Sequence, residues 1–140
     1  MLISNELMSI LLLTCGAIES LFKDLKKEIK PLEKARMNIN KYYPIITKEF
    51  NDLKRYRVVF SINYSFKPWE KWTADNAPKW WMAYNAIKHD RMNNIKEANL
   101  KNCILAIGAL YLILVLYEQK HLKGFFFTDN GELFYIGGNA

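Results

Sequence analysis

The chain has 140 residues, of which 51% are hydrophobic and 24% are charged. This length and composition predict one globular domain, residues 1–140, with its own core, and they exclude a disordered or low-complexity protein. The formal net charge is +6, which favours anionic partners such as RNA, although many basic proteins bind no nucleic acid.

The cysteines and histidines give no indication of a metal or cofactor site. Cys15 and Cys103 both lie in apolar helical patterns, which is typical of reduced core thiols in a cytosolic protein. They lack metal-ligand spacing, and the two histidines, His89 and His121, are far apart in the sequence. We therefore expect no metal, no cofactor and a cytoplasmic location.

The sequence predicts neither a signal peptide nor a membrane-spanning segment. No basic segment precedes the apolar N-terminal run, so we expect no signal peptide. The apolar stretch Cys103–Tyr117 is shorter than the roughly 18–20 apolar residues that a membrane span needs. We expect this stretch to form the buried central helix of a bundle, without membrane insertion.

The first predicted element is a helix that begins at Ser4 or Asn5 and continues to about Lys30. Apolar and small residues recur at spacings of four and three, as in the seam of an antiparallel helix pair. These residues are Leu7, Leu11, Thr14, Ile18, Leu21 and Leu25. Glu19 is the one acid in the middle of this helix, and it faces either solvent or the helix that carries His89.

The middle of the chain predicts less regular structure. After Pro31, a second helix is expected over Leu32–Tyr43. Pro44 should break or kink it before a short helical piece over Ile45–Leu53. Alternating apolar residues over Arg55–Tyr64 then indicate a strand.

A loop leads from Phe66 to Ala77 into the stretch that gathers the most reactive groups. We predict a helix from Pro78 to about Met92, because proline suits the first turn and no glycine or further proline follows. Helical periodicity places five residues on one face, with Tyr84 and Arg91 on its shoulder. These five are Trp81, Asn85, Lys88, His89 and Met92.

The C-terminal part predicts a strong helix and a small β element. The polar segment 93–99 is either a bend or a continued helix, and Ala98–Gln119 is helical. Asn130-Gly131 between two aromatic runs predicts a hairpin whose strands could pair with the Arg55–Tyr64 segment. The predicted fold is a mainly α-helical bundle with a small β element.

The segment Trp80–Arg91 contains the string Trp-Trp-x-x-Tyr-Asn-x-x-Lys-His-x-Arg, followed by an Asn-bearing segment and an apolar helix. In this string the chain resembles the HEPN superfamily, small all-α domains that commonly dimerise and often act as metal-independent ribonucleases. The superfamily motif is an Arg, a polar residue, three variable positions and a His. Asn85 and His89 match it, and Tyr84 stands in place of the Arg. The resemblance covers about Trp69–Leu116 well and the first helix loosely.

The resemblance implies a HEPN-type homodimer that cuts RNA without metal, as in toxin or antiviral-defence systems. His89 would act as acid or base, because histidine titrates near neutral pH. Asn85 would orient the imidazole or contact a phosphate oxygen, and Arg91 would clamp the phosphate. The residues expected to contact substrate are Lys88, Tyr84 and Trp81.

The replacement of the motif Arg by Tyr84 supports a second hypothesis. In the family, this Arg holds the scissile phosphate. Under the second hypothesis, a chain that lacks it is no nuclease but a non-catalytic dimeric module that binds RNA, a nucleotide or a protein. The sequence identifies neither an RNA substrate nor a protein partner.

Each candidate residue also has a purely structural interpretation. A lone helical histidine is often partly buried, and Trp80 and Trp81 commonly pack in a core or interface rather than against bases. Lys88 and Arg91 are then solvated. The asparagines after the motif, Asn93, Asn94 and Asn99, are then helix caps.

Overall fold

A computed structural model describes residues 4–34, 36–122 and 132–133. These residues form a helical bundle with a small sheet, which confirms the mainly α fold class. In chain order the elements are α1 (Asn5–Ile29), α2 (Ile39–Glu49), β1 (Arg57–Ser61), β2 (Tyr64–Phe66), α3 (Lys79–His89), α4 (Arg91–Asn94), a 3-10 turn (Ile95–Glu97), α5 (Leu100–Leu122) and β3 (Glu132–Leu133).

Helix α1 begins and ends close to the predicted positions. The Ser4 hydroxyl caps it by accepting from the Leu7 N–H at 3.1 Å. Its buried face is wider than the predicted seam, because α1 packs against α2, α3 and α5 rather than against one partner. Cys15 and Phe22 are fully buried in this wider face, while Thr14 is only half-buried.

Helix α5 is the central helix that the sequence predicts. It starts after Asn99, whose Oδ1 accepts from the Asn102 N–H at 2.9 Å. The Cys103 thiol donates to the Leu7 carbonyl at 3.1 Å, so α1 and α5 begin at the same end of the bundle. Cys15 and Cys103 are both free and buried, as expected.

Helix α2 begins later than predicted and continues through Pro44. Asn38 caps its start, with Oδ1 accepting from the Lys41 N–H at 3.0 Å. The predicted helix over Leu32–Tyr43 is therefore wrong in its first turns. Proline removes one backbone donor, but Tyr42 and Ile46 are buried on either side of it, and this packing holds the helix together.

The predicted strand over Arg55–Tyr64 is a hairpin rather than one strand. β1 and β2 pair antiparallel, with Ser61 opposite Tyr64. The apolar alternation continues through the turn, since Ile62 belongs to the pattern yet is 92% exposed, so alternation alone could not locate the turn.

A second strand pairing involves the C-terminal segment. β3 pairs parallel with β1, with Glu132 opposite Arg57 and Leu133 opposite Val58, which agrees with the expected pairing of this segment with the strand. The Asn130-Gly131 hairpin lies outside the described residues.

The segment between β2 and α3 belongs to the core. Trp69 and Trp72 are fully buried there, with ring centroids 4.8 Å apart. Trp69 Nε1 donates to the Ala109 carbonyl at 3.2 Å, and Trp80 Nε1 donates to the Pro68 carbonyl at 2.9 Å. These bonds fix the start of α3 against α5.

Two helices are long and apolar enough to cross a membrane, Asn5–Ile29 and Leu100–Lys120. Cys103–Tyr117 is only the uninterrupted apolar run of α5, and the flanking residues of the helix extend it to 21 residues, Leu100–Lys120. Core helices of soluble proteins pass the same test of length and composition. In this bundle both helices contribute their buried faces to one core.

Candidate functional site

Helix α3 ends three residues earlier than predicted. It covers Lys79–His89, and the chain leaves helical geometry at Asp90, with φ of −148°. The Asp90 carboxylate then caps α4, accepting from the Asn93 N–H at 3.3 Å and from Asn93 Nδ2 at 2.6 Å. Asn94 Nδ2 donates to the Ala86 carbonyl at 3.0 Å. The expected capping role is confirmed for Asn99, which caps α5, and Asn94 bonds a carbonyl near the end of α3. It is wrong for Asn93, because Asp90 is the capping residue there.

The end of α3 at His89 separates one residue of the predicted face and one of its shoulder from the rest. Arg91 and Met92 belong to α4, so the helical register that starts at Trp81 does not reach them. Both side chains are exposed. The prediction that Arg91 shares a shoulder with Tyr84 is therefore wrong, because it assumed one continuous helix.

Tyr84 and Lys88 meet Glu19 of α1. Tyr84 Oη donates to Glu19 Oε2 at 3.4 Å, and Lys88 Nζ lies 3.5 Å from Glu19 Oε1. Lys88 Nζ also lies 5.4 Å from the centre of the Tyr84 ring. Of the two alternatives for Glu19, the contact with α3 is the one observed.

Tyr84 is a neutral, buried hydrogen-bond donor. Only 4% of its surface is exposed. Burial, followed by the negative charge of Glu19, raises the pKa of the Tyr84 phenol to about 12. Tyr84 therefore lies in the core, hydrogen-bonded to a carboxylate.

Asn85 and His89 lie one turn apart on the solvent side of α3. Both side chains are exposed, and neither hydrogen-bonds to any other residue that the structure describes. The interpretation of His89 as a partly buried structural residue is therefore wrong. By contrast, core packing of Trp80 and Trp81 is confirmed, since they are 2% and 3% exposed.

A groove of about 440 Å³ lies between the C-terminal half of α1, residues 36–42 and α3; we call it the basic groove. The buried residues Phe22, Tyr42 and Trp81 lie at its base. Its lining includes one carboxylate, Glu19. Five cationic residues from three segments also line it: Lys23, Lys26, Lys27, Arg36 and Lys88.

The start of α2 adds partial positive charge to the basic groove. Asn38 and Ile39 are part of its lining. The first N–H groups of a helix lack intrahelical partners and carry the positive end of the helix dipole, so they favour anions.

Sequence reasoning missed this groove, although α1 contains a signal for it. Helical spacing places Lys23, Lys26 and Lys27 within about 100° of one another, whereas Asp24 and Glu28 lie to one side of this face. What the sequence could not show is that Arg36 and Lys88 approach the same face.

No family model, curated protein or solved structure matches this chain. Within residues 4–34 and 36–120, no group of three or more His, Cys, Asp and Glu side chains could hold a metal ion. The site must therefore be judged from its own geometry.

The six predicted site residues lie in different surroundings. Trp81 and Lys88 line the basic groove, and Tyr84 is buried beside Glu19. Asn85 and His89 face solvent, and Arg91 lies on the next helix. The fold also forms a concave, cation-lined surface, the basic groove.

Proposed function

We propose that this chain is a cytoplasmic, HEPN-like dimeric domain that binds RNA in the basic groove without cutting it. The observation that supports this function is the convergence of five cationic residues from three separate segments on one groove. Lysine and arginine contacts to phosphates supply most of the affinity in non-specific nucleic-acid binding.

The base of the groove favours contacts with the RNA backbone over contacts with bases. Phe22, Tyr42 and Trp81 are at most 4% exposed, so their ring faces are covered by protein and offer no platform for stacking. Backbone contacts fix the position of a strand without reading its sequence. The proposed binding is therefore tolerant of RNA sequence and sensitive to salt.

Fluorescence anisotropy with a labelled single-stranded RNA of roughly 20 nucleotides tests this function, with salt varied between about 50 and 200 mM. The logarithm of the binding constant should fall linearly with the logarithm of the salt concentration. Each phosphate contact to a single strand should add about 0.7 to the magnitude of this slope. Lys23→Gln/Lys27→Gln should therefore reduce the slope by about 1.4 and weaken binding at every salt concentration.

The matched control is Lys71→Gln/Lys101→Gln, which removes the same charge from exposed positions outside the groove lining. It should leave the slope within experimental error of the wild-type value. Equal losses in both double variants would show that net charge alone attracts RNA, and absence of wild-type binding would reject the function outright. Binding to anionic lipid vesicles but not to RNA would do the same.

Metal-independent cleavage is a second candidate function, and the exposure of Asn85 and His89 favours it. An exposed imidazole one turn from an exposed amide can contact a phosphate and the 2′-hydroxyl of the adjacent ribose. Purified protein should then cut RNA in EDTA, and His89→Ala should abolish the cut while circular dichroism stays unchanged. Cleavage that survives His89→Ala would exclude this mechanism.

A further inference from the structure

Glu19 is the one carboxylate among the groove lining, and it lies beside the one cation that α3 contributes. Lys88 Nζ is 3.5 Å from Glu19 Oε1. The other cations of the lining come from α1 and from Arg36, next to the start of α2. We infer that Glu19 determines the length of RNA that the groove holds, by keeping phosphates away from Lys88.

Two contacts hold the Glu19 carboxylate at the wall of the groove. Tyr84 Oη donates to Oε2 at 3.4 Å, and Tyr84 itself is buried and cannot follow the carboxylate into solvent. Lys88 interacts with the other oxygen. These contacts place the carboxylate beside α3, next to the ammonium group of Lys88.

The Glu19 carboxylate affects phosphate binding in two ways. It repels a phosphate directly, and it already neutralises the ammonium group that the phosphate would otherwise contact. The Lys88 side chain is 56% exposed, so the ion pair itself is weak and exchanges with solvent. Removal of the carboxylate charge should thus free Lys88 for one additional phosphate contact.

This arrangement also bears on the exposed pair Asn85 and His89. Asn85 precedes Lys88 by three residues on α3 and His89 follows it directly, and neither of the two lines the groove. A strand confined to the α1 and α2 end does not extend past Lys88 toward them. By keeping phosphates away from Lys88, Glu19 also keeps the bound RNA away from the His89 imidazole.

Glu19→Gln, Lys88→Gln and the double variant test this inference, which rests on the proposed RNA binding. Glutamine keeps an acceptor for Tyr84, so the fold is retained. At about 50 mM salt, Glu19→Gln should tighten RNA binding by roughly threefold to tenfold and steepen the salt slope by about 0.7. The double variant should lose this gain and bind RNA no more tightly than Lys88→Gln alone.

The control is Glu28→Gln, an exposed acid on the same helix that does not line the groove. It should alter the affinity by less than about twofold, whereas an equal gain in Glu28→Gln and Glu19→Gln would overturn the inference. A gain that persists without Lys88, or weaker binding in Glu19→Gln, would also overturn it. If Lys23→Gln/Lys27→Gln loses RNA while Glu19→Gln binds like the wild type, only this inference fails. If the wild type binds no RNA, the proposed function fails as well.

Discussion

Gly108 of α5 lies against the ring of Phe66 at the end of β2. A Cβ at position 108 would be 2.5 Å from Phe66 Cε2 and 2.7 Å from Phe66 Cζ. The absence of a side chain at this one position lets the hairpin pack directly on the central helix. The core thus depends on a glycine inside a helix whose sequence otherwise consists largely of good helix formers.

We expect Gly108→Ala to destabilise the protein by about 1–3 kcal/mol, because the added methyl group overpacks the contact with Phe66. Gly16→Ala is the matched control, since a Cβ there meets nothing within 4 Å. It should stabilise α1 by roughly 0.5–1 kcal/mol. Urea unfolding followed by circular dichroism measures both changes. Gain of stability in both variants would contradict the close approach of Phe66.

The buried phenol of Tyr84 should make the protein sensitive to alkaline pH. Its pKa is raised to about 12 in the folded state, against about 10 in an unfolded chain. The resulting stability is fully present below about pH 10 and is lost as pH rises towards about 12. Tyr84→Phe should flatten this loss, as measured by urea unfolding at pH 8 to 11.5. If the free energy of unfolding of Tyr84→Phe depended on pH as it does in the wild type, a group other than Tyr84 would cause the alkaline loss of stability.

The two thiols should resist modification in the folded protein. Cys15 and Cys103 are 0% and 2% exposed, and burial raises the pKa of each thiol, so little reactive thiolate forms near neutral pH. A thiol-specific reagent at pH 8 should label both cysteines rapidly in denaturant and slowly without it. Rapid labelling of the native protein would show that the α1–α5 contact opens readily.

RNA should also stabilise the folded protein if it binds in the basic groove. A ligand that binds only the native state at 100 times its Kd adds about 2.7 kcal/mol to the free energy of unfolding. Thermal unfolding with the same single-stranded RNA should show this shift for the wild type and a smaller one for Lys23→Gln/Lys27→Gln. Equal shifts in the two proteins would locate the RNA outside the groove.

The long periodic helices could be predicted from sequence, whereas the arrangement of the site could not. α1 and α5 have continuous apolar periodicity and a capping residue near each start, so local signals and packing agree. The end of α3 was missed because Asp90 and Asn93 form a helix start within a run of good helix formers. Helical periodicity describes a whole run of residues, so it does not show where one side chain, such as Asp90, bonds a backbone N–H and starts a new helix.

The contact between Glu19 and Tyr84 shows why the site needed the structure. These residues are 65 positions apart, and no local pattern links them. The same holds for Arg36 and Lys88, which reach the groove from different segments. Sequence reasoning found the reactive residues of α3, but their surroundings come from α1 and from the start of α2.

The three-sided packing of α1 has a consequence for synthesis. Its partners α2, α3 and α5 all follow it in the chain, so the ribosome releases α1 before any surface exists to cover it. Until α5 has been made, the part of the apolar face of α1 that packs against α5 stays uncovered. The core around α1 is therefore complete only after the last of its three partners has been synthesised.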